Sequence, residues 1–251
     1  MTDPKGVFAK ASAVEFPTGP AFKSAAALGA RRHVVESEYA LKRALDIVRA
    51  TTGLILSSPV WLILFVTIKL EDGGPAFYRQ ARWGKSGTRF WALKFRSMVF
   101  DPDGASGRVQ AVKRDPRITR VGWFMRKAAL DELPQIINIL RGEMSLVGPR
   151  ALPINEQQQN GVDVHLTDDQ VPGFALRSSV RPGLTGVAQL YAPRDIARRY
   201  KFRYDAIYVR RQSLSLDLRL IMRSFWISLT AGWERYHNLI EGKAEGGQGR
   251  R

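Results

Sequence analysis

Apolar and polar positions follow several rhythms along this chain. From Ala50 to Ile68, nineteen consecutive residues carry no charge. A run of that length can cross a bilayer as a helix. Ser57-Ser58-Pro59 interrupts it near the middle. Proline lacks an amide donor and crowds the preceding turn, and serine hydroxyls can take up the freed backbone groups in lipid. Arg31, Arg32, Lys42, Arg43 and Arg49 precede the run, and Lys69, Arg79, Arg82, Lys85 and Arg89 follow it. Cation-rich flanks belong on the cytoplasmic side, and anionic headgroups attract them. The pattern predicts a re-entrant helix-break-helix over about 47–69. A spanning helix is the plain alternative, and a buried core helix is the third.

"PAFYRQ" and "RFWALKFRSM", separated by "GKSG", predict a β-hairpin. Lys94 and Arg96 alternate with Leu93 and Phe95, so both cations fall on one strand face, which is equally the pattern of a solvated polar face. Ile136, Ile137, Ile139 and Leu140 repeat at helical spacing, with Pro134 in the first turn and Gly142 just past the end. "VRPGLTGVAQL" (180–190) reads as a turn-rich loop. From Arg194 to Arg211, Ile196, Tyr200, Tyr204, Ile207 and Tyr208 mark one face of a basic amphipathic helix. That helix rests on a membrane surface or packs on the core with a solvated basic face. "SLSLDLRL" (213–220) alternates like a strand, yet "IMRSFWISL" reads as a helix, and a helix from about Leu216 is expected.

Residues 1–38 are rich in Ala, Gly, Pro and Ser and read as a mobile or loosely helical extension, and 233–251 as a polar, disordered tail. The first twenty residues contain Asp3 and no apolar core, unlike a signal peptide. Lys plus Arg outnumber Asp plus Glu by 39 to 23, a net charge of +16, which implies a polyanionic partner: nucleic acid, an acidic membrane or phosphorylated substrates. There is no cysteine, so thiolate chemistry and Cys-ligated zinc are excluded. Three histidines far apart argue against a His-based metal site or triad.

One stretch carries candidate chemistry. In "RKAALDELPQ", Asp131 and Glu132 stand side by side at or before a helix N-terminus. That position favours ionised carboxylates, and a pair of capping acids would satisfy it. Adjacent acids repel, however, and a single cap would suffice. Arg114, Arg117, Arg120, Arg126 and Lys127 precede them, and Arg141 and Arg150 follow. Acids among many cations suit phosphate with a divalent metal: carboxylates hold Mg²⁺ jointly with substrate phosphates, Arg grips phosphate oxygens, and an aspartate can attack phosphorus.

From Lys42 to Trp226 the chain resembles the bacterial sugar transferases, the monotopic polyprenyl-phosphate phosphoglycosyl transferases. The resemblance rests on "KRALD", "SSP", "GGPAFYRQ", "KFRSM", "DPRITRVG", "LDELPQIINILRGEMSLVGPR", "RPGLTGVAQ" and "YDAIYVRRQSLSLDL", in family order. It implies an enzyme that moves a sugar 1-phosphate from a UDP-sugar to undecaprenyl phosphate. It further implies Mg²⁺ and the cytoplasmic face of a bacterial inner membrane, among its phospholipids. By that mapping Asp131 is the nucleophile, and Glu132, with Asp131, meets the metal. Arg150 contacts the nucleotide sugar, with Lys94, Arg96, Arg117 and Arg181 as further substrate ligands. Ser58 and Pro59 are the re-entrant break. Glu143, Ala151 and Val187 depart from the usual motifs, and 152–178 matches none. The implied fold is α+β and mainly helical, with a catalytic domain over 39–232 in the small, catalytic-core form. It combines a re-entrant segment, a short hairpin and amphipathic interfacial helices. Nucleic acid has no place in this reading, and a homodimer is the default assembly. A non-catalytic, basic, membrane-anchored module that binds anionic lipid or nucleic acid is the rival function.

Overall fold

The computed structural model describes residues 26–99, 115–154, 166–192 and 196–230, with side chains from residue 40 onward. The expected tail from 233 lies outside the described residues, as does most of the N-terminal extension. Helix α1 runs from Ala26 to Asp72. Strands β1 (Phe77–Trp83) and β2 (Arg89–Phe95) follow, then helices α2 (Arg120–Ala128) and α3 (Gln135–Arg141). The remainder is β3 (Ser145–Val147), α4 (Phe174–Ser178), β4 (Gly183–Thr185), α5 (Val187–Tyr191), α6 (Arg198–Arg211) and α7 (Leu214–Leu229). Among the described residues the fold is mostly helical, with two small two-stranded sheets.

Helix α1 stays helical through Pro59, so the Ser-Pro step does not divide the segment into two helices. The missing amide at Pro59 leaves the Ile55 carbonyl without its partner. Ser58 Oγ fills that gap, donating to Ile55 O at 2.8 Å. Trp61 Nε1 donates to Ser57 Oγ at 3.0 Å on the next turn. Among the described residues α1 is the helix long and apolar enough to cross a membrane, and most of its apolar window faces outward.

Both ends of the apolar run are nevertheless tied to the same body. At the start, Lys42 Nζ pairs with Asp217 Oδ2 at 2.5 Å, and Arg43 Nη1 donates to Ile139 O at 2.6 Å. Ser145 Oγ donates to Asp46 Oδ2 at 2.7 Å. At the far end, Asp72 pairs with Arg96, and Glu71 Oε1 accepts from Arg120 N at 2.7 Å. Between these anchors Ala50 packs with Phe90, Ala92, Ile136 and Ile139, while Leu64 and Ile68 pack with Ala76, Phe95 and Met125.

The expected hairpin is present and antiparallel, with Phe77 opposite Phe95 and Trp83 opposite Arg89. Asn138 of α3 bonds to the free edge of β2. It accepts from Leu93 N at 2.9 Å and donates to Trp91 O at 2.8 Å. Helix α3 ends where expected, with Gly142 in the left-handed region at φ 83°.

One local expectation changes, one boundary shifts by two residues, and one choice between alternatives is decided. The stretch 180–190 is not a plain loop: β4 pairs in parallel with β3, and α5 follows. The "SLSLDLRL" alternation belongs to a helix that begins at Leu214, where Ser213 Oγ accepts from Leu216 N at 3.2 Å. Helix α6 packs on the core, burying Phe202, Tyr204, Asp205, Ala206 and Tyr208, while Tyr200 of the expected face is exposed. The exposed apolar stripe lies instead on α7, at Leu218, Met222, Phe225, Trp226 and Leu229, with Trp123 and Phe124 of α2.

Candidate active site

The Asp131–Glu132 pair lies on a single 3₁₀ turn, Leu130–Glu132, between α2 and α3. Helix α2 stops because Ala129 takes a left-handed conformation, φ 56°. For a residue with a Cβ this costs about 1–2 kcal/mol, and such strain persists where the surrounding structure enforces it. Leu130 and Leu133 anchor the turn in the core beside Phe95 and Met125. The acids are thereby held at the N-terminal end of α3, close to its unpaired amides.

Two of the expected cations converge on the pair. Lys94 Nζ is 2.7 Å from Glu132 Oε1 and 4.0 Å from Asp131 Oδ2. Arg150 Nη2 is 3.4 Å from Glu132 Oε1. Strand β2 presents Lys94 on the face opposite Leu93. The β3–β4 pairing extends to Arg150, which bridges Gly183, and Gly183 N donates to Pro149 O at 2.8 Å. That join has no room for side chains: a Cβ on Gly183 would lie 2.0 Å from Gly148 N.

The other three expected ligands are elsewhere. The guanidinium of Arg96 grips both Asp72 oxygens and also donates to Pro75 O at 2.6 Å. It joins the hairpin to the end of α1 and is not brought to the dyad. Arg117 holds Asp115, with Nε and Nη2 at 2.9 and 2.6 Å from its carboxylate oxygens. Arg181 donates to Gly142 O at 2.8 Å, at the opposite end of α3 from the dyad.

Three residues that the sequence did not mark as site candidates support the site. Buried Arg82 donates to Ala151 O at 2.5 Å and adds positive potential at Lys94 and Glu132. Arg177 bonds to the Arg150 carbonyl and pairs through Nε with Asp205 Oδ2 at 2.9 Å. Both members of that pair are buried. Asp205 carried a weak signal, as an acid inside a strongly basic helix; Arg177 carried none.

The environment separates the two acids. Burial pushes Glu132 up, but the Lys94 ammonium and the Arg150 guanidinium outweigh it and hold its carboxyl far below the usual carboxylate range. Burial pushes Asp131 up, and Lys94 only partly offsets this, while the Glu132 charge adds to the rise. Lys94 is itself pushed down by burial against the pull of Glu132. The arrangement is thus one firmly ionised carboxylate beside a more basic one, a division that suits two roles.

Could these residues hold a divalent cation? Among the described residues no group of three or more His, Asp or Glu side chains forms a ready-made metal site. Two adjacent carboxylates fit Mg²⁺, which commonly takes one or two protein carboxylates and completes its shell with water and substrate phosphates.

Residues 37–231 match the bacterial sugar transferase family. The chain belongs to that family. The transferase is 40% identical over 197 residues to an exopolysaccharide production protein, PSS, of Rhizobium leguminosarum bv. phaseoli, covering 76% of this chain and 96% of that one. It is 41% identical over 189 residues to the UDP-glucose:undecaprenyl-phosphate glucose-1-phosphate transferase of Escherichia coli K12, covering 72% of this chain but 38% of that longer protein. The corresponding Caulobacter vibrioides transferase is 39% identical over 188 residues, 73% of this chain and 67% of its own length. Family membership makes the chain an enzyme and sets aside the non-catalytic basic module.

Proposed function

We propose that this transferase moves a sugar 1-phosphate from a UDP-sugar to undecaprenyl phosphate through a covalent intermediate on Asp131, starting the assembly of an exopolysaccharide or related glycan. The observation that carries the reading is the convergence of Lys94 and Arg150 on adjacent, unequal carboxylates. The names of the Escherichia coli and Caulobacter relatives supply the donor and acceptor classes.

In the first step an Asp131 oxygen attacks the β-phosphorus of the donor. The bond from that phosphorus to the oxygen bridging the two phosphates breaks, and UMP leaves. In the second step a phosphate oxygen of the lipid attacks the same phosphorus and displaces the Asp131 carboxylate. The product is a lipid diphosphate sugar, and no net proton is taken up or released. Lys94 and Arg150 meet charge as it develops on the phosphoryl oxygens, the principal lever in phosphoryl transfer. Mg²⁺, held by Glu132 with Asp131, would supply further neutralisation of the diphosphate.

The same reading puts α1 in the membrane in re-entrant fashion, with the catalytic body on the cytoplasmic face of the inner membrane. From Lys42 to Asp72 a straight α-helix rises about 45 Å, more than a hydrocarbon core of about 30 Å. A helix crossing fully would put its ends on opposite sides. The anchors at Lys42, Arg43, Asp46 and Asp72 all engage one body, which supports both ends lying on one side.

The test is UMP release from a panel of UDP-sugars, with Mg²⁺ and undecaprenyl phosphate. Release with at least one sugar is expected. Without the lipid, a sugar-phosphate adduct should appear by mass spectrometry on the peptide containing Asp131 and vanish in Asp131→Asn. Full turnover by Asp131→Asn would overturn the intermediate, and no release from any donor would overturn the reaction.

A further inference from the structure

On the face of the hairpin opposite Lys94 lies a cleft of about 370 Å³ lined by Phe77, Arg79, Leu93, Pro134 and Ile137. The strand register explains the lining. Phe77 stands opposite Phe95 and Arg79 opposite Leu93, while Lys94 stands opposite Tyr78. Alternate residues face opposite sides, so one face sends Lys94 to Glu132 and the other sends Phe77, Arg79 and Leu93 to the cleft. Its remaining wall begins at Pro134, two residues after Glu132. The segments that carry the reaction groups therefore also wall the cleft.

The cleft is continuous with the membrane helix. The Phe77 ring is 6.3 Å from both Trp61 and Phe65 of α1, and it stacks on Phe95 at 5.2 Å. Phe65 and Phe77 are both exposed, as are Leu62 and Val66. An apolar path thus leads from the outward face of α1 into the cleft. The polar lining group is Arg79, which is exposed and has no acidic partner among the described residues.

An apolar slot with a single cation suits an amphiphile with an anionic head. It suits a nucleotide sugar poorly, since hydroxyls set against Leu93 and Ile137 would lose their hydrogen bonds to water. The volume falls within the range of ligand sites, about 300–1,000 Å³. We infer that this cleft seats the first isoprenyl units of the lipid acceptor, with Arg79 on its phosphate. The inference rests on the transfer reaction proposed above. The lipid then meets the dyad from the membrane side, leaving Lys94 and Arg150 to the donor.

The test uses the full chain in lipid nanodiscs, with Arg79→Gln and Leu93→Gln. Steady-state rates are measured against undecaprenyl phosphate and separately against the UDP-sugar. Loss of one charge-assisted contact, or of apolar fit, is expected to raise the acceptor KM about tenfold while the donor KM stays within about twofold. A prenyl phosphate bearing a photoreactive group should label the peptides containing Phe77–Leu93 or Pro134–Ile137. Undecaprenyl phosphate should compete this labelling away, and phosphatidylglycerol should not. An acceptor KM near that of the wild type, equal rises in both KM values, or competition by phosphatidylglycerol would each overturn the inference. Labelling requires no turnover, so a chain that labels as expected but releases no UMP would leave the cleft standing and fell the reaction.

Discussion

Lys94 Nζ lies 2.7 Å from Glu132 Oε1 and 4.0 Å from Asp131 Oδ2, so one ammonium serves two adjacent carboxylates. This contact offsets the repulsion between neighbouring acids. Lying closer to Glu132, the ammonium acts with Arg150 to keep Glu132 the stronger acid, while burial and the Glu132 charge keep Asp131 the more basic. Replacing Lys94 with Met removes its share of both effects. Turnover should fall about 10²–10³-fold, the loss typical of deleting one charge-stabilising donor. Single-turnover formation of the sugar-phosphate adduct checks this, with circular dichroism to verify that the fold persists. Adduct formation at the wild-type rate would remove Lys94 from the chemistry.

The locality of each contact decides whether the sequence makes it legible. The hairpin, the end of α3 at Gly142 and the position of the dyad before α3 all rest on short-range signals. Lys94 and Arg96 shared one such signal, strand alternation, but alternation does not say what a face will meet. Lys94 met Glu132, whereas Arg96 met Asp72 at the end of α1. The resemblance makes Arg181 a substrate ligand, yet it donates to Gly142 O, because the β3–β4 pairing that positions it joins segments about forty residues apart. The leucines of α7 sit at every second position, but Asp217 must reach Lys42 and Tyr208, and only the helix buries it with Leu220 and Ile227.

A buried pair remote in sequence fixes Arg150. Arg177 holds the Arg150 carbonyl and is itself held by Asp205. Arg177→Met strands a buried carboxylate, and a loss of about 3–5 kcal/mol is expected. The double variant Arg177→Met with Asp205→Leu removes the stranded charge, and most of that stability should return, because an apolar replacement of a buried pair is often neutral. The donor KM should nevertheless stay raised by about tenfold, since the Arg150 carbonyl is still unheld. Thermal unfolding and donor titrations separate the two effects. A double variant with wild-type donor KM would make the pair purely structural.

The absence of cysteine makes topology directly measurable. Ala40→Cys and Gly74→Cys flank the apolar run of α1. A membrane-impermeant maleimide should label both in inside-out vesicles and neither in intact spheroplasts. Labelling from opposite sides would mean that α1 crosses the bilayer.

Tyr204 is buried in α6, and burial pushes its hydroxyl up to about 12. Its unfolded value is about 10. The folded protein therefore keeps this proton where the unfolded chain loses it. The associated stability is whole below pH 10 and is lost as pH rises toward 12. Denaturant unfolding at intervals from pH 9 to 12 should show a decline, and Tyr204→Phe should flatten it. An equally steep decline in the variant would assign the effect to other groups.

The outward stripe of α7 gives the last prediction. Leu218, Met222, Phe225, Trp226 and Leu229 recur at helical spacing, and all are exposed. Trp123 and Phe124 of α2 are exposed too, with the Lys127 ammonium 5.0 Å from the Trp123 ring. Aromatic rings beside cations suit the headgroup level of a bilayer, where each ring buries its body and its polar edge stays wet. This surface would hold the catalytic body down beside α1, keeping the dyad at the plane of the lipid phosphate. In nanodiscs made with lipids brominated near the headgroup, tryptophan fluorescence should be quenched. Trp226→Phe and Trp123→Phe should each reduce the quenchable fraction. Trp83→Phe should not, because Trp83 is bonded to Asp168 at 3.0 Å and packed edge-on against Phe174. If the quenchable fraction is unaffected by losing Trp226 and Trp123, the α7 stripe faces water, and α1 alone meets the membrane.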